Sequence, residues 1–261
     1  MGGGTQAVLI LLPPSEGKHE PVDGPPLDLG GLAFSPGLDR PRERLVRALE
    51  KLGDRPVRKA IQVMDISPGL AGDIALNAKI RSAPTAPARE VYSGVLYERL
   101  GLAGLGKRAS QRADRHLLIS SALWGMTRPA DLIPYYRLSM KPKLARVGGL
   151  GALWREPLAK AMAGSGFDEP GEIVLDMRSG SYSSLWRPRH ARLVAVRGFT
   201  ETGGQRKAIS HMAKSIRGDV ARVVLEAASL PADVDGVADL VSRAGMRVET
   251  GDSTLDVIEA G

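Results

Sequence analysis

Residues 117–140 read LLISSALWGMTRPADLIPYYRLSM, and this stretch indicates both the fold and the place where function is expected. It begins with an apolar run, residues 117–119, that is typical of a buried strand. Regular structure is expected to stop at Trp124-Gly125 and again at Arg128-Pro129, because glycine and proline interrupt strands and helices. The stretch therefore predicts a buried strand that ends in an irregular loop.

The same stretch concentrates residue types that the chain uses sparingly. The chain has three tryptophans and five tyrosines, and one tryptophan and two tyrosines fall here, beside two arginines and one aspartate. Loops held by a rigid strand often carry binding residues, since the strand fixes them while they stay reachable. The alternative is that Trp124, Tyr135 and Tyr136 are core residues and that Arg128 and Asp131 form a local ion pair.

The composition predicts a globular cytoplasmic protein. With 43% hydrophobic residues in 261 positions the chain can bury a substantial core. No apolar stretch approaches the roughly 18 residues of a membrane span, and the N-terminal segment lacks the features of a secretion signal. We expect no membrane partner, a flexible leader at residues 1–6, and a single domain over residues 7–261. The oligomeric state is not indicated.

Several kinds of catalytic site are excluded or disfavoured. The absence of cysteine excludes disulfides, thiolate metal sites, iron–sulfur clusters and a cysteine nucleophile. The four histidines are scattered without HxxxH or HExxH spacing, so we expect no metal site and no cofactor. Ser179 and Ser210 are conceivable nucleophiles, but the chain has no GxSxG nucleophile elbow.

The charge balance favours anionic partners. Lysine and arginine number 36 against 29 acidic residues, which gives a formal net charge of +7. Such an excess suits nucleic acid, a nucleotide or phosphate, although it is modest for a chain of this length. Residues 232–259 are acidic, so the excess belongs to the preceding part of the chain.

Other apolar runs also end in polar residues. Residues 7–12 predict a strand that is followed by Ser15 and Lys18, and residues 172–177 predict a strand that is followed by Arg178 and Ser179. Further strands are predicted at residues 191–196, 246–249 and 256–258, and helices at 42–52, 66–80, 150–162, 220–229 and 234–244. Because strands and helices are interleaved, the predicted class is mixed α and β.

Residues 205–217 predict a helix with a cationic side. At 100° per residue, Lys207, Ser210, His211 and Lys214 fall on one side and Arg217 lies at its edge. A solvated face is the alternative for such a stripe. The opposite side offers only modest apolar area, so we expect the loop ends to cover the cationic side in part.

Residues 100–109, LGLAGLGKRA, match the hairpin of a helix-hairpin-helix module. In such a module a Gly-apolar-Gly turn presents backbone N–H groups to a nucleic-acid phosphate, and a following lysine or arginine adds charge. A plain connection between two helices is the alternative, because short Leu/Gly/Ala patterns are common in this composition.

Several motifs belong together when they are taken in chain order. They are residues 12–18 (LPPSEGK), 91–94 (VYSG), 123–125 (LWG), 128–132 (RPADL), 136–140 (YRLSM), Trp154, Ser179 with Tyr182, and residues 207–218 (KAISHMAKSIRG). In this set the sequence resembles the YaaA-like proteins, which are known as peroxide stress resistance proteins. The resemblance extends over residues 8–225.

The resemblance implies a single compact domain of mixed α/β (α+β) class, with helices flanking a mixed sheet and a positively charged cleft. It also implies a cytoplasmic protein that binds nucleic acid and limits oxidative damage to DNA linked to intracellular iron. The chain departs from the family's pattern at Glu201, where relatives often have Asp-Glu-Lys, and at Asp176 and Arg178, where Asn and Ala are common. These departures leave open a relative with another role, including small-molecule biosynthesis.

Two functions are therefore carried forward: a nucleic-acid binder, and an enzyme that acts on a nucleotide or nucleoside and holds its phosphate in the same basic cleft. The candidate phosphate ligands are Ser15, Lys18, Arg128, Arg137, Arg178, Ser179, Lys207, Ser210, Lys214 and Arg217. The candidate stacking or substrate-contacting residues are Tyr92, Trp124, Tyr136 and Trp154. The candidate acid–base residues are His211, Glu201, Tyr182 and Asp176.

Overall fold

Five parallel strands form the centre of one eight-stranded mixed sheet. The structure, a computed structural model, describes residues 8–202, 205–207 and 209–260, so the predicted leader lies outside the described residues. The strands are β1 (Val8–Leu12), β2 (Ala86–Pro87), β3 (Leu117–Ser121), β4 (Gly125–Thr127), β5 (Leu132–Ile133), β6 (Lys143–Leu144), β7 (Gly148–Gly149), β8 (Ile173–Asp176), β9 (Arg192–Thr202), β10 (Gln205–Lys207), β11 (Arg247–Thr250) and β12 (Thr254–Ala260).

The strand order in this sheet is β11-β12-β9-β8-β1-β3-β4, and β10 pairs with β9. Neighbours from β12 through β3 run parallel, whereas β4, β10 and β11 each pair antiparallel with their neighbour. Two small two-stranded sheets, β2 with β5 and β6 with β7, lie apart from it. Parallel strands place their carboxyl ends at one edge, so the polar residues that follow β1, β3 and β8 are brought to the same edge.

Helices flank the sheet. They are α1 (Asp39–Gly53), α2 (Val57–Met64), α3 (Gly72–Ala78), α4 (Ala88–Val91), α5 (Val95–Leu100), α6 (Lys107–His116), α7 (Leu150–Ala163), α8 (Gly180–Ser183), α9 (Ser210–Glu226) and α10 (Val234–Arg243). Short 3₁₀ turns occur at Leu29–Gly31, Pro68–Leu70 and Leu102–Gly104. In the part of the chain that the structure describes, no helix combines the length and apolarity needed to cross a membrane.

The core is built on strands that are covered on both faces. Every residue of β1, β3 and β8 is buried, which explains why these strands read as near-continuous apolar runs rather than as alternating patterns. The long helix α9 packs against β9 and α5. A Cβ at Gly218 would lie 2.4 Å from the carbonyl oxygen of Leu96, so glycine lets α9 approach α5 closely.

A buried arginine fixes the loop after β3. The Arg42 guanidinium donates to the carbonyl oxygens of Trp124 at 3.1 Å, Ala33 at 2.7 Å and Met126 at 3.1 Å. Burial lowers the pKa of Arg42 to about 10, which leaves it charged at neutral pH. This arginine therefore holds the turn between β3 and β4 from inside the protein.

Most predicted elements are confirmed, and three helix predictions were wrong in their bounds. The helix predicted at residues 66–80 is shorter, since a 3₁₀ turn at Pro68–Leu70 precedes α3 (Gly72–Ala78), as its proline and glycines favour. The helices predicted at residues 205–217 and 220–229 are one helix, α9, which begins only at Ser210 and ends at Glu226. Gln205–Lys207 instead continue β9 as an antiparallel partner, so Lys207 does not share a helix face with Lys214.

Candidate functional site at the carboxyl ends of the parallel strands

The side chain of Lys18 occupies the edge of the sheet just beyond β1. The backbone of Lys18 forms an isolated antiparallel bridge with Tyr92, and the N–H of His19 donates to the carbonyl of Val91 at 2.8 Å. The Lys18 ammonium donates to the carbonyl of Ser15 at 2.7 Å. Its Nζ lies 4.5 Å from the centre of the Tyr136 ring and 5.6 Å from that of Tyr92. The amine is thus enclosed by two aromatic rings and a loop.

The charge state of Lys18 is set by this enclosure. Burial, together with the smaller effect of the nearby positive charge of Arg137, lowers the pKa of the Lys18 ammonium to about 7. The carboxylates of Asp73 and Glu16 act in the opposite direction but are smaller effects. No salt bridge to Lys18 occurs among the described residues. At neutral pH a large fraction of this amine is therefore unprotonated, unlike an ordinary lysine.

Three hydroxyl groups form a chain beside the amine. The Oη atoms of Tyr92 and Tyr136 lie 2.8 Å apart, and Ser121 Oγ lies 2.8 Å from Tyr136 Oη. Ser121 Oγ also accepts the backbone N–H groups of Leu123 at 3.1 Å and Trp124 at 3.0 Å.

The two accepted N–H groups give the chain a direction. They occupy both lone pairs of Ser121 Oγ, so the serine O–H must donate to Tyr136. Only one further hydrogen bond joins the two tyrosines, and hence one tyrosine O–H hydrogen is left for another acceptor. The remaining donor belongs to either Tyr92 or Tyr136.

These tyrosines remain protonated under physiological conditions. Burial raises the pKa values of Tyr92 and Tyr136 well above the ordinary range, and neighbouring tyrosines, including Tyr182, contribute in the same direction. Burial also raises the pKa of Tyr182 to about 12, with a smaller contribution from Glu16. The cluster therefore combines an amine whose neutral form is favoured by burial with phenol groups that keep their protons.

The segment that carries Tyr136 is irregular, and α3 fixes it on both sides. Asn77 donates to the carbonyl of Arg137 at 2.8 Å and accepts the backbone N–H of Arg137 at 2.9 Å. Asp73 accepts from the Tyr135 hydroxyl at 2.9 Å and forms an ion pair with the Arg137 guanidinium. These contacts place Tyr136 beside Lys18.

A second charged cluster follows β8. The Arg178 guanidinium contacts both carboxylate oxygens of Asp176, at 2.8 and 2.9 Å, and donates to the carbonyl of Trp186 at 2.9 Å. Its remaining terminal nitrogen, Nη1, is buried with no hydrogen-bond partner in the described residues. Arg217 of α9 donates to the carbonyl of Val196 at 3.0 Å, and burial lowers its pKa while Asp176 raises it. The Asp176–Arg178 pair and Arg217 are therefore neighbours.

The predicted site residues thus separate into groups. Four of them, which we call the Lys18 cluster, come together near Arg137 and Ser15: Lys18, Tyr92, Tyr136 and Tyr182. Glu201 lies instead in an ion-pair network with Arg206 and Arg247, which lowers the pKa of its carboxyl group. Four predicted residues are exposed: Arg128, Lys207, His211 and Lys214. Among the described residues, no hydrogen bond or ion pair joins their side chains to the Lys18 cluster. Ser179 is exposed at the start of α8, and Ser210 begins α9.

The predicted aromatic contacts are buried. Trp124 and Trp154 have no exposed surface, and Trp154 donates its indole N–H to the carbonyl of Ala122 at 2.9 Å. The Trp124 ring meets Tyr136 edge-on at 5.6 Å. Since a stacked base needs an exposed ring face, the two tryptophans act as packing residues beneath the site. Asp131 accepts the backbone N–H groups of Ala33 and Arg128, and no ion pair with the Arg128 guanidinium occurs in the described part of the chain.

Ser121 and Asp73 belong to the candidate site, and the sequence did not single them out. Ser121 ends β3 in the pair Ser120-Ser121 directly after the apolar run. That polar ending is the same signal that marked the other strand ends, and it could have drawn attention to this serine. Asp73 lies in an ordinary short helix, and nothing in the local sequence distinguishes it.

Comparison with known proteins identifies close relatives. Residues 8–243 match the family described as "Peroxide stress protein YaaA". A UPF0246 protein of Streptomyces coelicolor is 41% identical over 235 residues, which cover 90% of this chain and 88% of the relative. UPF0246 proteins of Corynebacterium efficiens and Corynebacterium glutamicum are 37% and 36% identical, over 96% and 93% of this chain and 98% and 95% of their own lengths.

Proposed function

The chain belongs to the YaaA family of peroxide stress proteins, and we propose that it binds nucleic acid in the cytoplasm and thereby limits oxidative damage to DNA. The observation that carries the proposal is the connection between α5 and α6, where a short glycine-rich turn joins two helices. A helix-hairpin-helix module likewise joins two helices by a short glycine-containing turn, whose backbone N–H groups bind the phosphate backbone.

The turn exposes backbone and buries its apolar side chains. Leu102 and Leu105 are buried at 3% and 9% exposure, whereas Gly104 and Gly106 are exposed. A Cβ at either glycine would meet no atom within 4 Å. The two leucines therefore anchor the turn in the core, and the glycines leave its outer surface open for the close approach of a phosphate.

The start of α6 lacks the groups that usually stabilise a helix N-terminus. Its cap residue, Gly106, has no side chain to accept a backbone N–H, and no acidic residue lies in the first turn. The first turn instead holds Lys107 and Arg108, although the helix dipole disfavours cations there. A phosphate would accept the free N–H groups and neutralise this charge.

Other exposed cations suit the same role. Arg128, Lys207 and Lys214 are exposed, and their side chains form no ion pair in the described part of the chain. Arg137 and Arg178, by contrast, already contact Asp73 and Asp176. We assign the phosphate contacts first to the exposed group, because these residues need not give up a partner to bind.

The test is a titration of fluorescently labelled duplex and single-stranded DNA with the full-length chain at several salt concentrations. Affinity should fall steeply with salt, and Lys107→Ala should weaken binding to all sequences about equally and reduce the salt slope by about one unit. Lys160→Ala is the matched control, since this exposed lysine contacts Glu156 on α7. Binding that does not depend on salt, or an unchanged slope for Lys107→Ala, would refute the proposal.

A further inference from the structure

Lys18 differs from a structural lysine in what surrounds its amine. A buried lysine normally pairs with a carboxylate, because the charge is otherwise costly to desolvate. Here no salt bridge is formed among the described residues, and the one hydrogen-bond partner of the ammonium is the carbonyl of Ser15. Lys18 as a residue is part-buried, at the edge of the sheet just beyond β1.

The surroundings favour the neutral amine. Enclosure by the rings of Tyr92 and Tyr136 removes water, and Arg137 adds a second positive charge nearby. The ring faces attract an ammonium in compensation, yet the pKa of Lys18 still falls to about 7. Desolvation next to another cationic group is the arrangement that activates lysine as a nucleophile.

The hydroxyl chain supplies the second component of a reactive site. Because Ser121 must donate to Tyr136, one tyrosine O–H in the chain has no acceptor within it. That hydrogen belongs to a phenol whose ring faces the amine. A phenol with a spare O–H hydrogen and the Lys18 amine therefore lie in one cluster, with Nζ 4.5 Å from the centre of the Tyr136 ring and 5.6 Å from that of Tyr92.

We propose that Lys18 is the nucleophile of a binding site for small aldehydes or ketones, in which its amine forms an imine while Tyr136 and Tyr92 transfer the protons. The nitrogen lone pair attacks the carbonyl carbon, and the C=O π electrons move to oxygen, which takes a proton from the tyrosine. Nitrogen then releases a proton that restores the tyrosine. A second transfer of the same kind expels the oxygen as water and leaves a C=N bond, so two hydrogens pass from nitrogen to oxygen in total.

A carbonyl compound fits the site better than a phosphate. A phosphate would need a charged ligand, whereas burial and the nearby charge of Arg137 favour the neutral form of this amine. A neutral amine with a neighbouring proton donor meets the requirements of carbonyl addition. This activity goes beyond nucleic-acid binding and concerns a different part of the molecule from the α5–α6 turn.

The experiment is reductive trapping with two probes, pyruvate and propionaldehyde. The full-length protein is incubated with either probe and sodium cyanoborohydride, which delivers hydride to the imine carbon and leaves a stable secondary amine. Peptide mass spectrometry then gives the rate of adduct formation at each lysine.

At pH 7 Lys18 should react at least about tenfold faster than the exposed Lys59 and Lys143, because ordinary lysines are almost entirely protonated at this pH. The rate at Lys18 should level off above about pH 8, while the exposed lysines continue to accelerate.

Variants separate a reactive site from a structural lysine. Lys18→Met should abolish the fast adduct without loss of the folded state, and Lys59→Met should leave it unchanged. Tyr136→Phe should slow carbonyl trapping at Lys18 about tenfold or more, because it removes one of the two hydroxyl groups that transfer the protons and breaks the hydroxyl chain. Acetylation of Lys18 by acetic anhydride, which needs only a neutral amine, should be unaffected by Tyr136→Phe.

The inference is overturned if Lys18 reacts no faster than Lys59 with both carbonyl probes. Fast acetylation together with slow trapping would also overturn it, since the amine would then be reactive without a carbonyl site. Should Tyr136→Phe lower both rates equally, the tyrosine would only shape the pocket, and its assigned role in proton transfer would be wrong. Tyr92→Phe serves as the second variant if Tyr136→Phe does not fold.

Discussion

Tyr92 and Tyr136 are 44 residues apart in the chain, yet their hydroxyl oxygens lie 2.8 Å apart at the edge of the sheet. The contact joins the segment after α4 to the irregular segment after β5, and Ser121 at the end of β3 completes it. The pair encloses Lys18, so the same contact that ties three segments together also defines the surroundings of the amine.

Tyr136 should matter more for stability than Tyr92. Tyr136→Phe removes the acceptor of Ser121 and the partner of Tyr92, whereas Tyr92→Phe removes one hydrogen bond at the end of the chain. Each buried group left without a partner costs about 1–3 kcal/mol. Urea unfolding should therefore show a larger loss for Tyr136→Phe. Equal losses would mean that the hydrogen bond between Ser121 and Tyr136 contributes little to stability.

The enclosure of Lys18 should make stability depend on pH. Its pKa is about 7 in the folded protein and near 10.5 when unfolded, so between these values the unfolded chain binds more protons. Stability should then rise with pH from about 7 to 10, by up to about 1.4 kcal/mol per unit. Lys18→Met lacks the buried amine and therefore this pH dependence. The free energy of unfolding of the variant, relative to that of the wild type, should therefore be highest below pH 7.

Comparing the two proteins cancels the titration of other groups, because both share them. Lys59→Met is the control, since this lysine is exposed and its removal should leave the pH profile parallel to that of the wild type. A constant difference between Lys18→Met and wild type from pH 6 to 10 would show that Lys18 keeps its charge in the folded protein.

The strands and the separate site segments were predictable, and the reasons are physical. β1, β3 and β8 are buried on both faces, so each reads as an apolar run followed by polar residues. Lys18 and the two tyrosines stood out because they follow such runs or belong to a scarce residue type. Their meeting at one edge depends on strand order, which local sequence does not encode.

The wrong start predicted for the helix at residues 205–217 arose because strand pairing overrides the local preference for helix. Gln205–Lys207 consists of residues that favour helices, yet the segment pairs with the end of β9. Two glycines separate the paired strands in sequence, a pattern typical of hairpins. Ser121 and Asp73 were missed because their importance lies in partners 15 and 62 or more residues away, which no local pattern reveals.

Gly125 should be among the least replaceable glycines of the fold. It has φ = +74°, and a Cβ there would lie 2.8 Å from the Trp154 ring, which is itself fixed by its hydrogen bond to Ala122. Gly125→Ala should thus combine backbone strain with a clash against a buried ring and cost about 3 kcal/mol or more. Gly148→Ala is the matched control, because Gly148 has φ = +81° but no atom within 4 Å of the added Cβ. Thermal unfolding should show a clearly smaller loss for the control.

A substitution at Gly106, the cap residue of α6, should change stability and DNA binding in opposite directions. Its backbone is extended, with φ = −60° and ψ = 156°, and an added side chain enters open space, so Gly106→Asp can accept a backbone N–H of the first turn. The carboxylate also complements the helix dipole and the adjacent Lys107, and the variant should be more stable by a few tenths of a kcal/mol or more. It should nevertheless bind DNA less tightly, because the aspartate occupies the N–H groups proposed for the phosphate and repels the charge of the phosphate.

Gly149→Asp makes the same change at the uncapped, open N-terminus of α7 and should leave DNA binding nearly unchanged. If both aspartate variants weaken DNA binding equally, the loss reflects net charge alone, and the α5–α6 turn is not the contact.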